Sequence, residues 1–177
     1  MAVWNVIDHT ELSGNATEYE KTSIPASYDH LYFVASARTD VSGAYFGSCK
    51  LTFNGTGGTS YGVTSIYAST STPTSASETG NDCINYIYVA ADSVLSDTFG
   101  TVEIWVPNYA NTSNYKQVLT KWSCPNNSTT NFQWIVGQTA GLFKDTAAIN
   151  QFTFGENTGN NFVQYSTFTL YGINGAG

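Results

Sequence analysis

The sequence predicts an all-β fold, a two-sheet antiparallel sandwich of about eight to ten strands. Three observations predict it. Residues 99–122, FGTVEIWVPNYANTSNYKQVLTKW, read as a hairpin in which Val102, Ile104 and Val106 alternate with Thr101, Glu103 and Trp105, the period of a strand with two unlike faces. Similar short runs recur along the chain between clusters of Gly, Asn, Ser and Thr. No segment carries the periodicity of an amphipathic helix.

Taken in order, residues 2–7 form a short first strand and residues 8–15 a polar connection, so that residues 1–23 are a candidate attachment segment with the first strand inside it. Residues 28–38 form a strand with Leu31, Phe33, Ala35 and Ala37 on one face. Residues 44–53 repeat the pattern, with Tyr45, Cys49, Leu51 and Phe53 facing away from Ser48, Lys50 and Thr52. The Gly-rich run 54–59 is a turn, and residues 61–67 are a strand. Residues 68–82 hold almost nothing apolar and are expected as one long exposed loop. Residues 83–91 resume as a strand. In the central hairpin Pro107 lacks the amide hydrogen of a continuing ladder and ends the first arm, and the Asn-, Thr- and Ser-rich residues 108–114 turn the chain. Residues 126–130 are a second polar loop, and residues 132–136, 147–154 and 162–173 are the remaining strands.

At 177 residues the chain suits one domain, residues 1–177, rather than two. Hydrophobic residues make up 41% and aromatics 15%, enough for a core, while charged residues are only 11%, so small neutral polar groups must cover much of the exterior. A net charge of -7, with Lys21, Arg38, Lys50, Lys116, Lys121 and Lys144 scattered along the chain, argues against nucleic acid as a partner. Nothing approaches the run of about 20 apolar residues that spans a bilayer, so membrane insertion is not expected, and the opening MAVWNVIDHTEL lacks the pattern of a secretory signal. Cys49, Cys83 and Cys124 are odd in number and widely spaced, fitting free thiols in a reducing compartment.

The residue types that carry catalysis are present without the spacing that catalysis needs. His9 and His30 each follow an aspartate, Asp8 and Asp29, but adjacent strand residues point to opposite faces and cannot orient one another. Glu18, Glu20, Glu103 and Glu156 are the carboxylates that could pair across a sugar; solvated edge charges are the simpler reading. Asp92 and Asp97 lack the alternating oxygen ligands of a calcium loop, residues 155–161 hold one carboxylate, and the glycines of residues 55–58 open no helix that would cradle a phosphate. No catalytic residue, metal or cofactor is assigned. Asn-x-Ser/Thr triplets at Asn15, Asn54, Asn111, Asn126 and Asn127 follow from the composition.

What the sequence does offer is aromatic surface. Tyr86 and Tyr88 lie opposite Ile87 and Val89, and Trp105 lies opposite Ile104 and Val106, so some strands carry large side chains on both faces. A monomeric sandwich would place Thr or Lys there, and the pattern predicts a face covered by another subunit in a homo-oligomer, with a trimer as the candidate. Tyr86, Tyr88, Trp105, Tyr109 and Trp122 are the candidate interface or glycan contacts, with Tyr61 and Tyr67 added for a sugar ring, whose C–H face packs on an aromatic ring.

Four stretches, YDHLYFVASAR, FGTVEIWVPNYANTSNYKQVL, TAAINQFTF and NFVQYSTFTLYGI, give the chain its family resemblance. It resembles a jelly-roll-like β-sandwich of tailed bacteriophages, especially those of marine bacteria, found in capsid decorations, head fibres and tail-fibre tips. The carrying details are a strand ending in Arg38, the EIWVPNYA hairpin with Lys116 two residues after Asn114, the TAAI approach to a late strand, and the closing STFTLYGI. The resemblance implies a non-enzymatic virion protein that folds in the bacterial cytoplasm, uses no cofactor, and has major capsid or tail proteins as partners. Because the module makes up nearly the whole sequence instead of tipping a long shaft, a decoration, cement or head-fibre subunit is expected. The alternative is a tail-fibre tip that recognises host-surface carbohydrate.

Overall fold

The computed structural model describes residues 3–69, 72–125 and 134–175, which form two antiparallel sheets packed as a β-sandwich without a helix. Its twelve strands are β1 (Val3–Glu11), β2 (Glu18–Lys21), β3 (His30–Ala37), β4 (Phe46–Phe53), β5 (Tyr61–Ser69), β6 (Thr72–Asn81), β7 (Ile84–Ala90), β8 (Gly100–Pro107), β9 (Lys116–Pro125), β10 (Trp134–Phe143), β11 (Phe152–Glu156) and β12 (Thr167–Asn174). The larger sheet runs β1-β12-β3-β8-β9-β10-β5-β6, and the smaller β2-β11-β4-β7.

Alternation sets which face each strand buries. Leu31, Phe33, Ala35 and Ala37 of β3, Val102, Ile104 and Val106 of β8, and Phe168 and Leu170 of β12 all point between the sheets. They meet Cys49, Leu51 and Phe53 of β4 and Phe152 and Phe154 of β11 in one hydrophobic cluster. At its centre the Phe33 ring lies 4.9 Å from Phe152 and 5.3 Å from Phe154. Aromatic pairs at such separations add about 0.5–1.5 kcal/mol each beyond the area they bury.

The distinctive sequence motifs turn out to hold one another. Lys116 Nζ donates to the carbonyls of Asn114 (2.9 Å), Asp145 (3.4 Å) and Thr146 (3.1 Å), so the hairpin lysine clasps the segment that begins TAAI. Beside it the Ile149 amide donates to the Tyr109 carbonyl at 3.0 Å. The Arg38 amide donates to Ser166 Oγ of STFTLYGI at 3.3 Å, and its guanidinium donates to the carbonyls of Leu95 (2.7 Å) and Asp92 (3.0 Å). These residues fix connections between strands.

The strand count exceeds the expectation for identifiable reasons. Residues 72–81, expected within a long loop, form β6 and pair along β5 from Ser69↔Thr72 to Tyr61↔Asn81. Their backbone makes the ladder although their side chains are almost wholly exposed. Residues 8–11, expected as a connection, continue β1 past a bulge between Val6 and Asp8. β10 runs on to Phe143 instead of stopping at Val136. By contrast β11 begins only at Phe152 and β12 only at Thr167, later than the alternation suggested. Ala2, the loop 126–130 and Phe132 lie outside the described residues. β1 and β2, in the candidate attachment segment, are each an edge strand of one sheet.

Candidate interaction surface

The smaller sheet covers one face of the larger, and the opposite face of the larger sheet is where chemistry-bearing side chains gather. Register places Tyr171, Tyr32, Trp105 and Leu119 in one row across β12, β3, β8 and β9. Trp4 of β1 joins this row: its indole meets Tyr32 edge-on at 5.1 Å and Tyr171 at 5.8 Å, Trp105 lies 6.1 Å from Tyr32, and His30 lies 5.0 Å from Trp105. Tyr32 has its hydroxyl pKa pushed up to about 12, by burial first and then by a hydrogen bond to Glu103.

Next to the aromatic row the sheet forms a groove of about 740 Å³. Two cross-strand rows make it: Thr101, Ser123, Val136, Ala68 and Pro73, and Glu103, Lys121, Gln138, Ile66 and Ser75. A smaller pocket of about 250 Å³, lined by Tyr32, Glu103, Trp105, Leu119 and Lys121, joins groove and row. Among the described residues nine large hydrophobic side chains are exposed, and five of them, Trp4, Val6, Ile66, Leu119 and Val136, lie on this one face. A face with that much apolar surface, edged by hydroxyls, one amide and one pair of opposite charges, resembles the centre and rim of a binding surface more than a solvated sheet.

Of the residues expected to make contacts, Trp105 lies on this face, and Tyr67 and Trp122 border the groove from beneath the sheet. Trp122 is 2% exposed and points between the sheets, where Tyr88 meets it edge-on at 5.0 Å. Tyr109 is fully buried and its hydroxyl donates to the Pro25 carbonyl, which anchors the chain before β3. Tyr61 is buried too: its hydroxyl accepts the Phe53 amide hydrogen at 2.8 Å and donates to Thr56 at 3.1 Å, pinning the Gly-rich turn. An exposed position for Tyr61, Tyr109 and Trp122 is therefore corrected. Tyr86 and Tyr88 are half-buried and lie opposite the buried Ile87 and Val89, as the alternation has it. Tyr86 takes a left-handed φ of 56°, and the β4–β7 register shifts between Cys49 and Leu51, so a bulge resets the strand. The Tyr86 hydroxyl then bonds Glu78 of β6, and Tyr88 packs on Phe46 and Trp122. Both rings close the side of this sandwich against their own chain. Tyr67 lies half-buried beside them, 6.1 Å from Trp122.

Trp4, Tyr32, Tyr171, Leu119, Ile66 and Val136 were missed as site residues. The signal was present in alternation, since Tyr32 shares its parity with Trp105 through the β3–β8 register, but the register itself is not written in the sequence.

The remaining polar candidates do not converge. His9 Nδ1 lies 2.8 Å from Thr169 Oγ1, and His30 Nδ1 accepts the Asn108 amide at 3.2 Å. Glu156 is buried and accepts the Thr158 and Asn160 amides at 2.6 and 2.8 Å, shaping the turn after β11. Glu18 and Glu20 share the open face of β2. Asp40 accepts Asn161 and Asn15 side chains, which together hold its carboxyl below the usual value against the opposing effect of burial. Cys49, Cys83 and Cys124 are free and buried, and desolvation pushes all three thiols up.

No family model matches the chain, and no curated protein matches it.

Proposed function

We propose that this protein is a non-enzymatic structural subunit of a tailed-phage virion, a capsid decoration, cement or head-fibre protein that self-associates and attaches through the outer face of its eight-stranded sheet. The observation that carries the reading is the concentration of Trp4, Val6, Ile66, Leu119 and Val136 on that face. Each such side chain, fully buried, gives back about 1.5–3 kcal/mol, scaled by how much of it was still wet. Support also comes from the motif contacts, Lys116 to Thr146 and Arg38 to Ser166, which make the resembling residues parts of one scaffold. The test is where the protein resides. An antibody against it is expected to label intact particles, and a Leu119→Asp/Val136→Asp double variant is expected to fold and stay off them. Absence of the protein from purified particles overturns the reading.

A second reading has its own observation. The groove beside Trp105 is concave and edged by Thr101, Ser123, Gln138 and Ser75, hydroxyl and amide groups suited to a neutral sugar chain. In that case the protein is a receptor-binding module, and host-glycan binding disappears in Trp105→Ala while the fold survives.

A further inference from the structure

We propose that Asn54–Gly55 is a latent self-modification site: the fold latches the Asn54 carboxamide shut, and release of that latch lets the chain deamidate there and lose the turn that follows β4. Two Asn-Gly dipeptides occur in the sequence, Asn54–Gly55 and Asn174–Gly175. In such a pair the glycine nitrogen, unshielded by any side chain, can attack the asparagine Cγ. A bond forms between that nitrogen and Cγ, the nitrogen gives up its proton, and the side-chain nitrogen takes it and leaves as ammonia, closing a succinimide ring. Water then opens the ring at one carbonyl or the other, giving aspartate or isoaspartate, whose main chain runs through Cβ and is one atom longer. The reaction consumes only that water.

Attack requires a carboxamide free to swing onto the next nitrogen, and Asn54 is held away from it. Its Oδ1 accepts the amide hydrogens of Asn150 (2.9 Å) and Gln151 (3.2 Å), and its Nδ2 donates to the Ala148 carbonyl (3.0 Å). Two donors on one side and an acceptor on the other fix which atom is oxygen and which nitrogen. The Asn54 amide donates to the Gln151 carbonyl at 3.0 Å, so one residue joins the end of β4 to the lead into β11 through four hydrogen bonds. The turn is fixed as well: Asn54 and Gly55 take left-handed φ of 55° and 62°, and the Thr56 amide donates to the Phe53 carbonyl at 2.9 Å. Gly55 itself is exposed, within reach of the water that would open an imide. At Asn174–Gly175 the pattern is reversed. There the carboxamide makes no hydrogen bond among the described residues, and the glycine nitrogen donates to Asp29 Oδ2 at 2.5 Å. An isoaspartate at position 54 would insert an atom into a turn whose two left-handed residues are already matched to the 148–151 contact. This inference is independent of the proposed function.

The experiment follows both dipeptides by peptide mass spectrometry of the full chain, kept at neutral pH either folded or in guanidinium. In denaturant Asn54 and Asn174 are both expected to convert to aspartate and isoaspartate. In the folded chain conversion at Asn54 is expected to be slower than in denaturant by at least about tenfold, because it must wait for local opening. Ile149 is buried and anchors the lead into β11, so Ile149→Ala is expected to fold, by its far-ultraviolet spectrum, and to convert faster at Asn54 than the folded wild type. Chains aged in denaturant and refolded are expected to lose amide protection at Asn150 and Gln151 in proportion to their isoaspartate at position 54. Conversion of folded Asn54 at the denatured rate overturns the latch. A folded Ile149→Ala that converts no faster than wild type overturns its coupling to the 148–151 segment, and full protection of Asn150 and Gln151 in isoaspartate-bearing chains overturns the loss of the turn.

Discussion

The Tyr86 hydroxyl on β7 donates to the Glu78 carboxylate on β6, tying an edge of the small sheet to an edge of the large one. Asn81 Nδ2 (2.5 Å) and Asn85 Nδ2 (3.2 Å) donate to the same carboxylate. Glu78 thereby gathers donors from both sides of the β6–β7 connection, and a strand with almost no apolar side chain is held in place.

That arrangement predicts a pH dependence. The Tyr86 hydrogen bond, followed by those from Asn81 and Asn85, lowers the Glu78 pKa from 4.5. A carboxyl with a depressed folded-state pKa binds fewer protons folded than unfolded, so its contribution is complete above 4.5 and is lost as pH falls through the lowered value. Amide protection along β6 is expected to drop in that acid range before the core opens. Glu78→Gln is expected to lack this acid-dependent step and to show weaker β6 protection at neutral pH. An unchanged profile in Glu78→Gln would show that the carboxylate does not hold the strand.

Gly137 sets a packing limit under the groove. A Cβ there would lie 2.5 Å from Trp122 Cζ2, 2.6 Å from Tyr67 Cβ and 2.8 Å from the Ile66 carbonyl oxygen. Two of those neighbours are a rigid ring and a backbone atom, so the site cannot yield cheaply. Gly137→Ala is expected to cost about 1–3 kcal/mol, read by urea denaturation. The tryptophan fluorescence should change as Trp122 is displaced. Gly14 has nothing within 4 Å of an added Cβ, and Gly14→Ala is the control expected to leave stability nearly unchanged.

Lys116 is 1% exposed and has three carbonyl acceptors instead of a carboxylate. Lys116→Met keeps much of the side-chain volume and removes every donor, leaving those carbonyls without their shared partner. The expected loss is about 1–3 kcal/mol, measured by chemical denaturation, with exchange of the Ile149 amide rising early because its bond to Tyr109 lies beside the clasp.

These residues also show what sequence patterns encode. β3, β4 and β8 were legible because each buries one face against the opposite sheet, and alternation records burial. β9 misleads in the same terms. Its inner face carries Lys116, Val118, Thr120, Trp122 and Cys124, and its outer face carries Gln117, Leu119, Lys121 and Ser123, so polar and apolar residues occur on both sides. Nothing local says that Trp122 faces inward. β6 was illegible because its ladder is backbone chemistry, and the end of β10 was hidden by Gly137 and Gly141, whose missing side chains make room for Trp122 and Ile84. That the Tyr86 and Tyr88 rings meet their own chain depends on Glu78, Phe46 and Trp122, neighbours that local alternation does not name.

Trp105 and Trp122 test the division between scaffold and surface. Both lie on the central hairpin, but Trp122 is buried between the sheets against Tyr88, whereas Trp105 is half-buried on the open face beside Tyr32 and His30. Removing the Trp122 ring empties a core position, and Trp122→Ala is expected to cost about 3–5 kcal/mol. Trp105→Ala leaves the core intact and removes a ring that is already partly wet, so its cost to folding is expected to be smaller. Its larger effect should fall on whatever covers the outer face: particle attachment under the first reading, glycan binding under the second. Urea denaturation of both variants, paired with particle and glycan binding of Trp105→Ala, separates the two roles. Should Trp105→Ala destabilise the fold as much as Trp122→Ala while leaving both kinds of binding untouched, the outer face would be structural support and the proposed surface would lie elsewhere.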